Sequence, residues 1–195
     1  MLGAKLSASE YLARAAREMS RVDPVELEAL VSIIEEAHRE RKFIFVIGNG
    51  GSGANASHLC EDLGKCTLRP EDYDNDTPRL RILSLTDNTS YITAWANDEG
   101  YDRVFSEQLK NLASPGDVLV AISGSGNSLN ILRAVEWANA HGMVTFGCTG
   151  YSGGKLRQIA QKSLHVPLDD MGLVESIHLT AFHWVIGATH RKMCA

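Results

Sequence analysis

The chain has 195 residues, of which 44% are hydrophobic and 22% charged, and it carries a formal net charge of −5. That length suits one domain with a proper core and is short for two. The acidic balance disfavours a nucleic-acid surface built on excess Lys and Arg, and no apolar run reaches the about 18 residues that would argue for a membrane span. Cys60, Cys66, Cys148 and Cys194 form no CxxC pair, and no basic segment followed by an apolar core opens the chain; the expectation is reduced thiols and a cytoplasmic location.

From Ser7 to Arg21, and from Asp23-Pro24 to about Arg39, apolar residues recur at helical spacing (Tyr11, Leu12, Ala15 and Met19; then Leu27, Leu30, Ile33 and Ile34). Asp23 before Pro24 and Glu26 reads as a helix start, because aspartate caps, proline tolerates the first position and an acid in the first turn faces the dipole. These two helices, within residues 1–40, are expected to serve packing and oligomerisation. The period then changes. Phe43 to Ile47 is a short apolar run opening into Gly48-Asn49-Gly50-Gly51-Ser52, with a helix expected from about Ala54 to Lys65. Further apolar runs at Leu80–Leu85, Val118–Ile122, Met143–Cys148 and Ser163–Val166 alternate with helix-length segments such as Asn127–His141, and a last long helix runs from about Gly172 to Arg191. The pattern is that of an α/β fold, a three-layer αβα sandwich around a mostly parallel five-stranded sheet, with 43–195 as its core and 1–195 as one domain.

Two loops carry chemistry. Ser123-Gly124-Ser125-Gly126-Asn127-Ser128 follows a strand and opens a helix, so hydroxyls, free backbone N–H groups and a helix N-terminus converge where ligands bind in doubly wound folds. Phosphate is the natural guest; a plain Ser/Gly capping turn is the bland alternative. The loop lacks the GxxxxGK[ST] pattern of nucleotide phosphates, which favours a sugar phosphate. The loop at 48–52 makes GxGxxG with Gly53, yet the acid that a dinucleotide site wants about 20 residues on is missing, since Asp87 comes too late.

The combination of GNGGS after an early strand, SGSGNS after a middle strand and ESIHLTAFH near the end resembles the SIS (sugar isomerase) domain family, and within it the phosphoheptose isomerases. The likeness spans about Phe43 to His183. It implies isomerisation of sedoheptulose 7-phosphate to D-glycero-D-manno-heptose 7-phosphate, the first step toward activated heptoses of lipopolysaccharide and related glycans. It also implies a homotetramer with active sites between subunits and one zinc ion per subunit. By the same resemblance, Asn49, Gly50, Gly51 and Ser52 bind substrate, as do Asn97, Asp98, Ser123, Gly124, Ser125 and Ser128. His58 falls on a metal ligand and His183 on the catalytic histidine that is also a ligand. Four positions depart from the pattern: Asp62, a candidate for substrate as well, stands for the family's catalytic and metal-binding glutamate, beside Glu61; Glu175, a candidate for substrate and metal, stands for a glutamine; Gly124 stands for a threonine; and the fourth is Gly172. An aspartate common in the family falls on Gly172.

Aldose-ketose isomerisation needs a base that takes a proton alpha to the carbonyl and an acid that returns one. A tuned carboxylate and a histidine suit that work, here Asp62 and His183, with Glu61 the alternative base. His58 and Asp62, four apart, share a helix face. Glu175 and His183 on one straight helix are about 12 Å apart along the axis and roughly 80° around it, so either the helix begins after Glu175 or the two serve different subunits. His178 reads as a packed histidine, and Trp95, Trp137 and Trp184 as core or subunit interface. Other readings are an isomerase of a different ketose phosphate, a non-catalytic protein-binding relative of the fold, and a sugar-phosphate-sensing regulator, for which the first 40 residues supply no DNA-binding unit.

Overall fold

A computed structural model of the chain describes residues 5–194. Helix α1 (Ala8–Met19) opens on a capping box in which the Glu10 carboxylate accepts from the Ser7 backbone N–H at 2.7 Å. Helix α2 (Pro24–Arg39) is capped by Asp23, whose Oδ1 accepts from the Val25 N–H at 2.9 Å, with Pro24 in the first turn.

Five strands follow: β1 (Phe43–Gly48), β2 (Arg81–Ser84), β3 (Val118–Ser123), β4 (Val144–Thr149) and β5 (Lys162–His165). They form one sheet in the order β2-β1-β3-β4-β5, and every pairing is parallel. Alternate residues of the central strands feed opposite cores. Ile44, Val46, Val118, Val120 and Ile122 point to the layer formed by α2 with α3 (Gly50–Cys66) and α8 (Met171–Met193). Phe45, Ile47, Leu119 and Ala121 point to the layer of α4 (Thr89–Asp98), α5 (Ser106–Leu112), α6 (Leu129–Ala140) and α7 (Gly154–Ile159). Helices on both faces of a parallel sheet bury both sides of every central strand, which is why those strands read as continuous apolar runs. Among the described residues no helix is long and apolar enough to cross a membrane.

Three boundaries move. Helix α3 begins at Gly50 rather than about Ala54, so the GGSG stretch is its first turn. Glycine's low propensity is overridden because Ser52 and Gly53 are buried there. Helix α6 begins at Leu129, with Ser128 as its N-cap. Helix α8 begins at Met171 and includes Glu175, which removes the option that it starts later.

The sheet order reverses between β1 and β3, and the chain leaves their carboxyl ends through Asn49–Ser52 and Ser123–Ser128. Ligands of open α/β sheets bind at such a switch point.

Candidate active site

Those two loops line one cavity of about 240 Å³, whose wall is Asn49 to Ser52, Ile122 to Ser125, Ser128, Met171 and Glu175. The serine loop is stiffened by its own bonds: the Ser123 and Ser128 hydroxyls are 3.4 Å apart and the Asn127 side chain donates to the Ser125 carbonyl at 3.0 Å. Asn49 is held sideways, donating to Asn130 Oδ1 at 3.0 Å and accepting from the Tyr101 hydroxyl at 2.9 Å. Neither Asn130 nor Tyr101 stood out in the sequence. A buried asparagine inside an apolar helix would have been the only signal.

Helices α3 and α8 lie side by side and run the same way. The Asn55 amide donates to the Glu175 carbonyl at 3.0 Å near their starts, and the His190 ring nitrogen Nδ1 meets the Cys66 carbonyl at 2.6 Å near their ends. At the near end the Glu175 carboxylate rests on the first turn of α3. A Cβ on Gly51 would stand 2.3 Å from Glu175 Oε2, so only glycine lets the acid approach. Carboxylates are favoured at a helix N-terminus, which offers Glu175 a positive environment. The α6 N-terminus opens on the serine loop, a geometry that suits an anion.

Two turns further along the same seam, His58, Asp62 and His183 converge. The Nε2 atoms of the two histidines are 3.0 Å apart, and Asp62 Oδ2 lies 3.1 Å from that of His58 and 3.8 Å from that of His183. Asp62 enters this group while Glu61, one residue earlier, points to solvent. The Cys66 thiol donates to Asp62 Oδ1 over 3.9 Å. Two imidazole lone pairs and a carboxylate aimed at one point suit a divalent cation. Tetrahedral zinc with bonds of about 2.0–2.1 Å sets its ligand atoms roughly 3.3 Å apart, close to the spacings seen here. His58 and His183 keep 43% and 53% of their side-chain surface exposed, which leaves an open side for a further ligand. Glu175 is not among the three, and it lines the serine-loop cavity instead.

Asn97 and Asp98 end α4, with the Asn97 amide donating to Asp98 Oδ1 at 2.7 Å; both are exposed, and they line neither the cavity nor the cluster. His178 is fully buried, its Nε2 meeting the Thr149 carbonyl at 3.2 Å, and its Nδ1 has no partner. Burial pushes its pKa down to about 4. Trp95 and Trp137 pack on the core between the sheet and the α4–α7 layer, and Trp184 is 42% exposed. The four cysteines are free thiols, and burial pushes those of Cys60 and Cys148 up. A larger cavity of about 400 Å³ between Ile33, Val118 and Val144 opens at the opposite end of the strands.

The SIS domain family model matches residues 10–150. A probable phosphoheptose isomerase of Thermoplasma acidophilum is 35% identical over 187 residues, covering 96% of this chain and 100% of that one. A phosphoheptose isomerase of a Bradyrhizobium species is 38% identical over 183 residues, covering 91% of this chain and 89% of the relative. Among solved structures, a phosphoheptose isomerase of Neisseria gonorrhoeae superposes with a TM-score of 0.81 at 28% identity, covering 94% of this chain and 98% of that chain.

Proposed function

We propose, for a chain that belongs to the SIS domain family and within it to the phosphoheptose isomerases, the conversion of sedoheptulose 7-phosphate to D-glycero-D-manno-heptose 7-phosphate. The observation that carries this reading is the α3/α8 seam, which has a phosphate cavity at one end and an acid with two histidines at the other. Gly51 and His58 are separated by about 10 Å along the α3 axis. That separation suits a substrate whose phosphate and reacting carbons sit at opposite ends of a long polyhydroxy chain.

The hydroxyls of Ser123, Ser125 and Ser128, with the N–H groups of their loop and the α6 N-terminus, would hold the phosphate. Asn49 to Ser52 and Glu175 would face the sugar hydroxyls between. Asp62 takes a proton from C1, next to the C2 carbonyl, while His183 donates one to the C2 oxygen, which gives the enediol. Asp62 then returns its proton to C2 as His183 takes the proton of the C1 hydroxyl, which leaves the aldose and both groups in their starting state. His58, Asp62 and His183 would hold one zinc ion per subunit, which when bound supplies Lewis-acid stabilisation of charge on those two oxygens.

The remaining parts of the reading are assembly and setting. Asn97 and Asp98 line neither the cavity nor the histidine cluster of their own chain, which favours a homotetramer with sites shared between subunits. We assign residues 1–195 to one domain, with 1–40 for packing and assembly, a cytoplasmic location and a role in making heptoses for lipopolysaccharide or related glycans.

Purified protein supplied with sedoheptulose 7-phosphate should form the mannoheptose phosphate in a zinc-responsive manner. Asp62→Asn and His183→Gln should each lower kcat at least about 100-fold, the scale of one positioned acid-base group. Sugar-phosphate binding without turnover would move the assignment to a non-catalytic relative of the fold.

A further inference from the structure

The first turn of α8 forms the roof of the phosphate cavity. Met171 and Glu175, four residues apart, share one helix face and both line the cavity. Glu175 lies over Gly51, whereas Met171 lies over the serine loop. A Cβ on Gly124 would stand 2.4 Å from Met171 Sδ and 3.0 Å from its Cε. The thioether therefore occupies the space that any side chain at position 124 would fill. Val174 packs beside it, 3.7 Å from the same point.

A thioether gives a phosphate oxygen almost nothing, because sulfur in methionine is at best a weak acceptor and carries no donor. It is a soft apolar surface suited to covering carbon. Met171 and the serine hydroxyls line the same cavity, so a phosphate ester seated among those hydroxyls would bring its carbon end within reach of the thioether.

We infer that Met171 is a specificity-determining residue that makes the serine-loop cavity prefer primary phosphate monoesters of an extended sugar chain over inorganic phosphate. Gly124 is its necessary partner, since it alone lets the thioether lie on the loop. The inference rests on the functional reading above for the sugar and adds which residue recognises the carbon end of the ester.

The test measures binding of inorganic phosphate and of sedoheptulose 7-phosphate by calorimetry, with KM and kcat alongside, for the unaltered protein, Met171→Ala, Met171→Leu and Gly124→Ala. Loss of contact with one or two methylene-sized groups should weaken ester binding and raise KM roughly five- to tenfold in Met171→Ala. The Kd of inorganic phosphate and kcat should be little changed, and Met171→Leu should restore ester binding. Gly124→Ala, which drives the thioether off the loop, should weaken the ester in the unaltered background and should add a smaller further loss when Met171 is already alanine. Equal weakening of phosphate and ester in Met171→Ala would make the residue a structural support of the loop and overturn the inference, as would unchanged binding of both. If the unaltered protein takes inorganic phosphate but not the sugar ester, the functional reading falls and this inference with it. Ester binding that is indifferent to Met171 removes this inference alone.

Discussion

Glu61 and Asp62 are adjacent acids whose fates differ only by 100° of helix rotation. Asp62 turns toward His58 and His183, while Glu61 faces water. His178, five residues before His183, is turned the other way, into the core. There it faces the Thr149 carbonyl, the ring of Phe182 and, through Thr149, the ring of His165, and burial disfavours its charged form. The unfolded chain therefore takes up this proton first, near pH 6.5, and the folded protein only near pH 4. Stability due to neutral His178 is full above that window and falls as pH drops through it, by up to about 3 kcal/mol. Urea midpoints measured from pH 7.5 to 4.5 should decline, and His178→Phe should flatten the slope. His38 and His165, also shifted down by burial, would leave a residual slope in that variant.

At the scale of elements, the site depends on where α8 begins. Its N-cap residue Asp170 makes no capping bond with its side chain; instead Oδ2 accepts from Arg14 of α1 at 3.1 Å, with only 3% of the aspartate side chain exposed. This pair ties the N-terminal helix to the turn that carries Met171 and Glu175. Arg14→Ala leaves a buried carboxylate without its partner and should cost about 2–3 kcal/mol. Because the same turn roofs the serine-loop cavity, the proposed phosphate site, KM should rise together with the loss of stability, and Arg14→Lys should recover part of both. Urea unfolding and steady-state kinetics on the two variants check this. An unchanged KM would show that the roof is held without α1.

At the scale of the molecule, α1 has no buried residue although one side of it packs through Tyr11, Ala15 and Met19 on Val166, Leu168, Leu173 and Val174. Leu12 on α1 remains 67% exposed, and Trp184 on α8 42%. Exposed apolar surface of this kind suits burial against other copies of the chain. Light scattering should give a tetramer, and Leu12→Asp should shift it to smaller species with lower turnover and unchanged helical content. A fully active monomer would refute the shared site. Much of the architecture was legible in the sequence: runs such as Phe43–Ile47 and Val118–Ile122 are apolar on consecutive residues because both faces of a parallel strand are buried, and the glycine- and serine-rich segments after them mark the turns at the sheet's switch point. The residue types that line the cavity and form the histidine cluster were legible too, since serine hydroxyls, carboxylate and imidazole are set by composition and local spacing. Which groups meet was decided by the parallel packing of α3 on α8, a contact between segments more than 100 residues apart. That packing selects Asp62 over Glu61 and sends Glu175 to Gly51 instead of the histidines. It also lays Met171 on Gly124, because side-chain approach across a helix seam depends on rotation and close contact that no one-dimensional pattern records.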